Sequence, residues 1–174
     1  MVVIVTGVSG AGKTTIGYRL AEALGARFFE ADDFQPAANL AKESGAQPLD
    51  DADREPWLTA LEAAVDEWVA TGLDAVLAFT GLRQAWRDRL TRGRPAVRVV
   101  YLRGAETTVR ARHAARRGHF FPTALLGSQF ARLEEPRDAI TVEIDAAPET
   151  IVKTLCSKLA LAAGALPGRP GSGR

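Results

Sequence analysis

Two spacings of apolar residues alternate along this chain, and the points where one gives way to the other mark its elements. Residues 2–5 (Val-Val-Ile-Val) form an unbroken branched apolar run, as expected of a strand covered on both faces. A glycine-rich turn over 7–12 follows it. Residues 13–24 then place Ile16, Leu20 and Leu24 at helical spacing, and Gly25 supplies the stop. Residues 27–30 read as a short second strand. The stretch 31–52 is polar, proline-bearing and poorly periodic, which predicts a long functional loop with room for one short helix. Residues 53–70 open with an acidic cap and Pro56 in the first turn, then repeat Leu58, Leu61, Val65, Trp68 and Val69 as an amphipathic helix.

The same reading gives strands at 75–79, 97–102 and 140–144, and helices at 82–90 and 148–162. Two short helical stretches lie within 105–133, split by a loop over 118–122. Alternating strands and helices predict an α/β fold, a three-layer, doubly wound parallel sheet that binds ligands at the carboxyl ends of its strands. One domain over 1–163 accounts for all of these elements, with 105–133 as a lid. The Gly-, Pro- and Arg-rich segment 164–174 reads as a disordered tail.

Composition changes this picture little. A formal net charge of +1 gives no global pull toward nucleic acid or acidic membrane. Cys156 is the only cysteine, so no internal disulfide or thiolate cage can form, and it reads as a small apolar residue. No apolar run approaches the ~20 residues that span a bilayer. Met1 leads directly into the first strand, leaving no room for a signal peptide, and the expected setting is cytoplasmic.

The chemistry begins at Gly7-Val8-Ser9-Gly10-Ala11-Gly12-Lys13-Thr14, a Walker A pattern placed directly after a strand and before a helix. Glycines let the backbone curl so that amide N–H groups converge on phosphate oxygens, and the helix start adds a favourable dipole. Gly7, Ser9, Gly10, Ala11, Gly12, Lys13, Thr14 and Thr15 are therefore the expected ATP contacts. Lys13 would bridge the outer phosphates and the Thr14 hydroxyl would ligate Mg2+.

Asp32 and Asp33 follow the second strand, so at least one carboxylate should face this cradle. Asp32 is assigned to accept a proton from an attacking hydroxyl or to hold a magnesium-bound water. The third strand ends in Phe79-Thr80-Gly81, with no acid to serve the metal separately. Asp50, Asp51 and Asp53 suit helix capping. Arg54, a cation in a helix's first turn, suits either a bidentate contact to a substrate carboxylate or an ion pair with those acids. Trp57, Trp68 and Trp86 read as packing residues.

Arg103, Arg110, Arg112, Arg116 and Arg117 concentrate charge after the fourth strand. They could serve nucleic acid, a solvated face, or a lid that neutralises charge on a transferring phosphate. Arg112 and Arg116 share a helical face, and the lid reading assigns them to catalysis. His119 suits an ionisable switch or a structural hydrogen bond.

Taken together, these segments resemble small bacterial P-loop gluconokinases. The likeness rests on 7–14, then Asp32, Pro36, Asn39, Lys42, Pro48-Leu49, Asp51, Asp53-Arg54 and Pro56-Trp57-Leu58. It continues through Arg87-Asp88, Leu90, Tyr101-Leu102, Arg112, Arg116, Gly118-His119-Phe120-Phe121, Gln129-Phe130, Leu133-Glu134 and Pro136. The resemblance implies a fold related to shikimate and adenylate kinases, ATP-dependent phosphorylation of the 6-hydroxyl of D-gluconate, and a homodimer. On this reading Asp32, Arg54, Thr80, Arg83 and His119 are expected to meet the acceptor, Arg54 and Arg83 at its carboxylate. Departures from the family pattern gather on the acceptor side: Gln35 for a usual histidine, Glu43 for a methionine, a displaced Gly45, and Phe79-Thr80-Gly81-Leu82-Arg83. The acceptor could thus be another sugar acid, a shikimate-like compound or an antibiotic. A regulatory ATP-binding module without phosphotransfer is the expectation from outside the enzyme class.

Overall fold

β1 (Val2–Thr6) is the centre of the molecule: its first four residues are wholly inaccessible to solvent and Thr6 nearly so. The computed structural model describes residues 1–44, 47, 49–115 and 126–164. In chain order the elements are β1, α1 (Lys13–Leu24), β2 (Arg27–Glu30), a single 3-10 turn (Ala31–Phe34), α2 (Ala37–Ser44), α3 (Asp51–Thr71), β3 (Ala75–Ala78) and α4 (Gln84–Thr91). They continue with β4 (Val97–Arg103), α5 (Glu106–Ala115), α6 (Leu126–Arg132), β5 (Ile140–Glu143) and α7 (Pro148–Gly164).

All strand pairings are parallel, in the order β2-β3-β1-β4-β5. Because strand side chains alternate, β1 divides its apolar run between two cores. Val3 and Val5 pack with Ile16, Leu20, Leu155 and Leu159 of α1 and α7 on one face. Val2 and Ile4 pack with Trp57, Leu58, Leu61 and Val65 of α3 on the other. The chain passes from β1 to one side of the sheet and later returns across it to β4, so a crevice opens at the carboxyl end of β1. That is where 7–12 lies. This is the expected doubly wound α/β sheet.

In 31–52 the expected short helix is α2, and the structure adds a 3-10 turn before it. Asn39 is buried there, donating its side-chain amide to the Asp53 carbonyl at 2.7 Å, and Lys42 pairs with the Asp53 carboxylate. These contacts dock α2 on the start of α3, an ordering that local periodicity does not carry. α3 itself begins two residues earlier than expected because Asp50 and Asp53 form a reciprocal capping box. The earlier start puts Pro56 in the second turn, where the Ala52 carbonyl has no helical N–H to accept. The loop over 118–122 and the tail beyond Gly164 lie outside the described residues.

Candidate active site

Gly7 leaves β1 at φ 151°, where a Cβ would sit 3.0 Å from the Leu102 carbonyl oxygen and 3.3 Å from Ala11 Cβ. The turn closes through Ala11 N–H to the Val8 carbonyl at 3.2 Å. Gly12 then caps α1 in the left-handed region, and Ile16 N–H donates to its carbonyl at 2.8 Å. The amides of Lys13, Thr14 and Thr15, ahead of that first helical bond, have no intrahelical acceptor and are available to an anion. Ser9 N–H instead donates to Gln129 Oε1 of α6 at 2.7 Å.

Lys13 opens α1 and turns back over the loop, its ammonium donating to the Val8 carbonyl at 3.1 Å. Removal from water lowers its pKa from 10.5 to about 8, and the carboxylates of Asp32 and Glu30 partly offset that burial. Asp32 therefore stands on the cradle side, as its position after β2 suggests.

Packing explains how Asp32 is held. The indole N–H of buried Trp57 donates to the Ala31 carbonyl at 2.7 Å, one residue before it. Phe29 stacks on Trp68 at 4.3 Å between centroids, and Phe34 meets the same ring edge-on at 6.1 Å. Two tryptophans of α3 thus clamp the strand end and the 3-10 turn that carry the acids. Asp32 Oδ1 accepts from Gln35 Nε2 at 3.1 Å, and both Asp32 and Asp33 are exposed on this turn.

Glu30, the last residue of β2, is a site residue that the sequence reading did not single out. It is half-buried, hydrogen-bonded with the Thr14 side chain, and its pKa is raised, chiefly by burial. The signal was present as Glu30-Ala31-Asp32, two acids two apart at a strand's carboxyl end. At the cradle mouth Lys13 and Glu30 thus each feel the charge of Asp32 and of the other.

On the far side of the crevice, Thr6 Oγ1 donates to the Thr80 carbonyl at 2.9 Å, tying the loop after β3 to the strand that leads into the cradle. Arg83 follows on this loop. Its guanidinium lies 5.4 Å from the Trp86 ring centre, and that of Arg54 lies 5.1 Å from the same ring. Both pair with Asp51, Arg83 at 3.0 Å and Arg54 at 3.6 Å. Arg54 and Arg83, 29 residues apart, therefore converge on one indole and one carboxylate. Trp86 does more than pack: it is the platform for both cations.

Arg112 of α5 donates to the Ile144 carbonyl and is exposed. Arg116 and His119 lie outside the described residues. Among the described residues no cluster of three His, Cys, Asp or Glu side chains forms a protein-only metal cage. Thr14, Glu30 and Asp32 do present hard oxygen donors of the kind Mg2+ takes alongside phosphate and water.

Comparison with known proteins places the chain among relatives. A family model described as an AAA domain matches residues 2–136. The thermoresistant gluconokinase of Escherichia coli is 36% identical over 153 residues, covering 86% of this chain and 87% of that protein. The gluconokinase of Gluconobacter oxydans is 39% identical over 155 residues, covering 87% of each. Among solved structures, a gluconokinase from Sinorhizobium meliloti superposes with a TM-score of 0.81 at 36% identity over 93% of both chains. A shikimate kinase from Aquifex aeolicus, at 16% identity and TM-score 0.61, shares the fold. A nucleotide cradle, an acidic strand end and an arginine-bearing loop thus sit in a chain that belongs to the gluconokinase family of P-loop kinases.

Proposed function

We propose that this protein transfers the terminal phosphate of ATP to the 6-hydroxyl of D-gluconate. The observation that supports the reading is that Lys13 bends back over the glycine loop while the charges of Asp32 and Glu30, from the end of β2, reach it and partly offset its burial. Family membership supports gluconate as the acceptor.

The amides of the glycine loop and the Lys13 ammonium hold the polyphosphate. Mg2+, when bound, supplies charge neutralisation on the transferring group. Thr14 would hold it directly, with Glu30 and Asp32 behind it. Asp32 accepts the proton of the acceptor hydroxyl as that oxygen bonds to phosphorus. The bond from phosphorus to the bridging oxygen breaks, and ADP leaves with the electron pair. Arg112 leaves the Ile144 carbonyl to face the transferring phosphate, and Arg54 and Arg83 exchange Asp51 for the acceptor's carboxylate. A neutral sugar would leave those two cations without the carboxylate that draws them from Asp51, which gives the site its preference for an acid.

The test is a coupled assay of ADP release across sugar acids, shikimate-like acids and neutral sugars. Turnover should be greatest with gluconate, absent without Mg2+, and weak with glucose. Turnover of another acid but not gluconate would overturn the substrate. Tight ATP binding with no turnover of any acceptor would favour a regulatory module. The resemblance also supports a homodimer and a cytoplasmic setting; light scattering on the purified chain reads out the former, and fractionation of the source cells the latter.

A further inference from the structure

α6 and the two residues after it touch both halves of the site. At one end, Gln129 Oε1 accepts from Ser9 N–H of the phosphate loop at 2.7 Å. At the other, Glu134 engages the loop after β3 and the start of α4 three ways. Its N–H donates to the Leu82 carbonyl at 2.8 Å, and its Oε2 accepts from Gln84 N–H at 2.7 Å. Its carbonyl accepts from Arg87 Nη2 at 2.5 Å. Between these ends the chain turns tightly, with Leu133 N–H on the Phe130 carbonyl at 3.2 Å, and Leu126 anchors α6 in the core.

The chemistry at Glu134 is specific. Gln84 is the first residue of α4, and the N-cap residue Arg83 makes no side-chain cap of its own. A carboxylate from α6's extension therefore caps α4 from outside, where a negative charge is favourable. It does so on the peptide that immediately follows Arg83. Arg87 completes the arrangement: only 1% exposed, it spends its guanidinium on the Gly81 carbonyl, the Gln84 side chain and the Glu134 carbonyl. Burying a guanidinium is costly unless its donors are used; here Nη1 and Nη2 lock the loop to the strut, while the buried Nε has no partner. Gly81 leaves no room for a side chain. At φ 42° a Cβ would lie 2.8 Å from the Phe79 ring and 3.1 Å from Thr6 Oγ1.

We propose that Gln129 and Glu134 are positioning residues for phosphotransfer. The strut formed by α6 and residues 133–134 sets the nucleotide loop through Ser9 and the acceptor loop through Gln84, so filling one site pre-orders the other. The inference rests on the reading of the cradle and Arg83 given above.

Initial rates over a grid of ATP and gluconate concentrations give the coupling factor, the ratio of gluconate KM at vanishing ATP to its value at saturating ATP. The wild-type factor should be about fivefold or more. Gln129→Leu, which removes the acceptor from Ser9 N–H, and Glu134→Ala, which uncaps α4, should each bring it close to one. Glu134→Gln keeps an oxygen for Gln84 N–H and should restore it. Should Glu134→Ala fail to fold, Glu134→Asp, with the oxygen withdrawn by one methylene, replaces it. A coupling factor unchanged in both the Gln129 and Glu134 variants, or equal to one in the wild type, overturns the proposal. If gluconate is not turned over, the grid is run with the acceptor found by the panel, so a wrong substrate and an idle strut give different results.

Discussion

The Lys13 ammonium donates to the Val8 carbonyl five residues behind it, so the phosphate-binding cation is held on its own loop. This hold is only partly compensated, because burial lowers the Lys13 pKa to about 8 despite two nearby carboxylates.

The free enzyme should therefore lose its cradle cation as pH rises through about 8. Phosphate oxygens favour the charged form, so ATP binding in that range takes up a proton. Calorimetry at pH 8 in buffers of different ionisation enthalpy should show net proton uptake, and kcat/KM for ATP should fall above that pH. On the stability side, between about 8 and 10.5 the unfolded chain binds more protons at this residue than the folded one, so stability rises with pH across that window. Below the window the buried charge weakens the fold. Lys13→Met should thus raise the melting temperature of the nucleotide-free protein by about 2 °C, while lowering kcat by about 100-fold or more.

Arg54 and Arg83 share Trp86 and Asp51, so each should serve acceptor binding rather than nucleotide binding. Arg83→Ala should raise gluconate KM by about 10- to 100-fold, the loss expected of one charged hydrogen-bonding partner. The KM for ATP at saturating gluconate should stay within about twofold, since the phosphates are held by other groups. Steady-state kinetics on the single and double variants measures both.

Glu30 sits behind Thr14, and its effect should run through the metal. Glu30→Gln keeps the side chain's shape but removes the charge, and should raise the Mg2+ concentration for half-maximal rate by about tenfold. A magnesium titration at fixed ATP checks this. An unchanged titration would make Glu30 a purely structural partner of Thr14.

Asp50 caps α3 and, with Asp53, fixes where that helix begins. Asp50→Ala should lower stability by about 1 kcal/mol, seen as a drop of about 2–4 °C in melting temperature. Asp53 also accepts from Lys42, which holds its carboxyl below the usual carboxylate range. Stability from that contact should be present near neutral pH and lost as pH falls through the depressed value. Acid unfolding of Asp53→Asn should begin at the same pH or higher, from a less stable starting point.

Local chemistry in the sequence was sufficient for the parallel sheet, the Walker A cradle, the side of the sheet where Asp32 lies, and the capping by Asp50 and Asp53. Apolar spacing reports which face of an element is buried, and a glycine-rich turn between strand and helix constrains its own backbone. What tertiary structure alone decided depends on residues far apart in the chain. α2 is ordered by Asn39 and Lys42 meeting Asp53. Glu30 belongs to the site because the chain folds β2 beside the start of α1, bringing it to Thr14. Arg54 and Arg83 become a pair through one shared indole, and Gln129 and Glu134 join two loops because α6 crosses between them. Periodicity carries no information about such partners, since it records whether a side chain is buried and not what it is buried against.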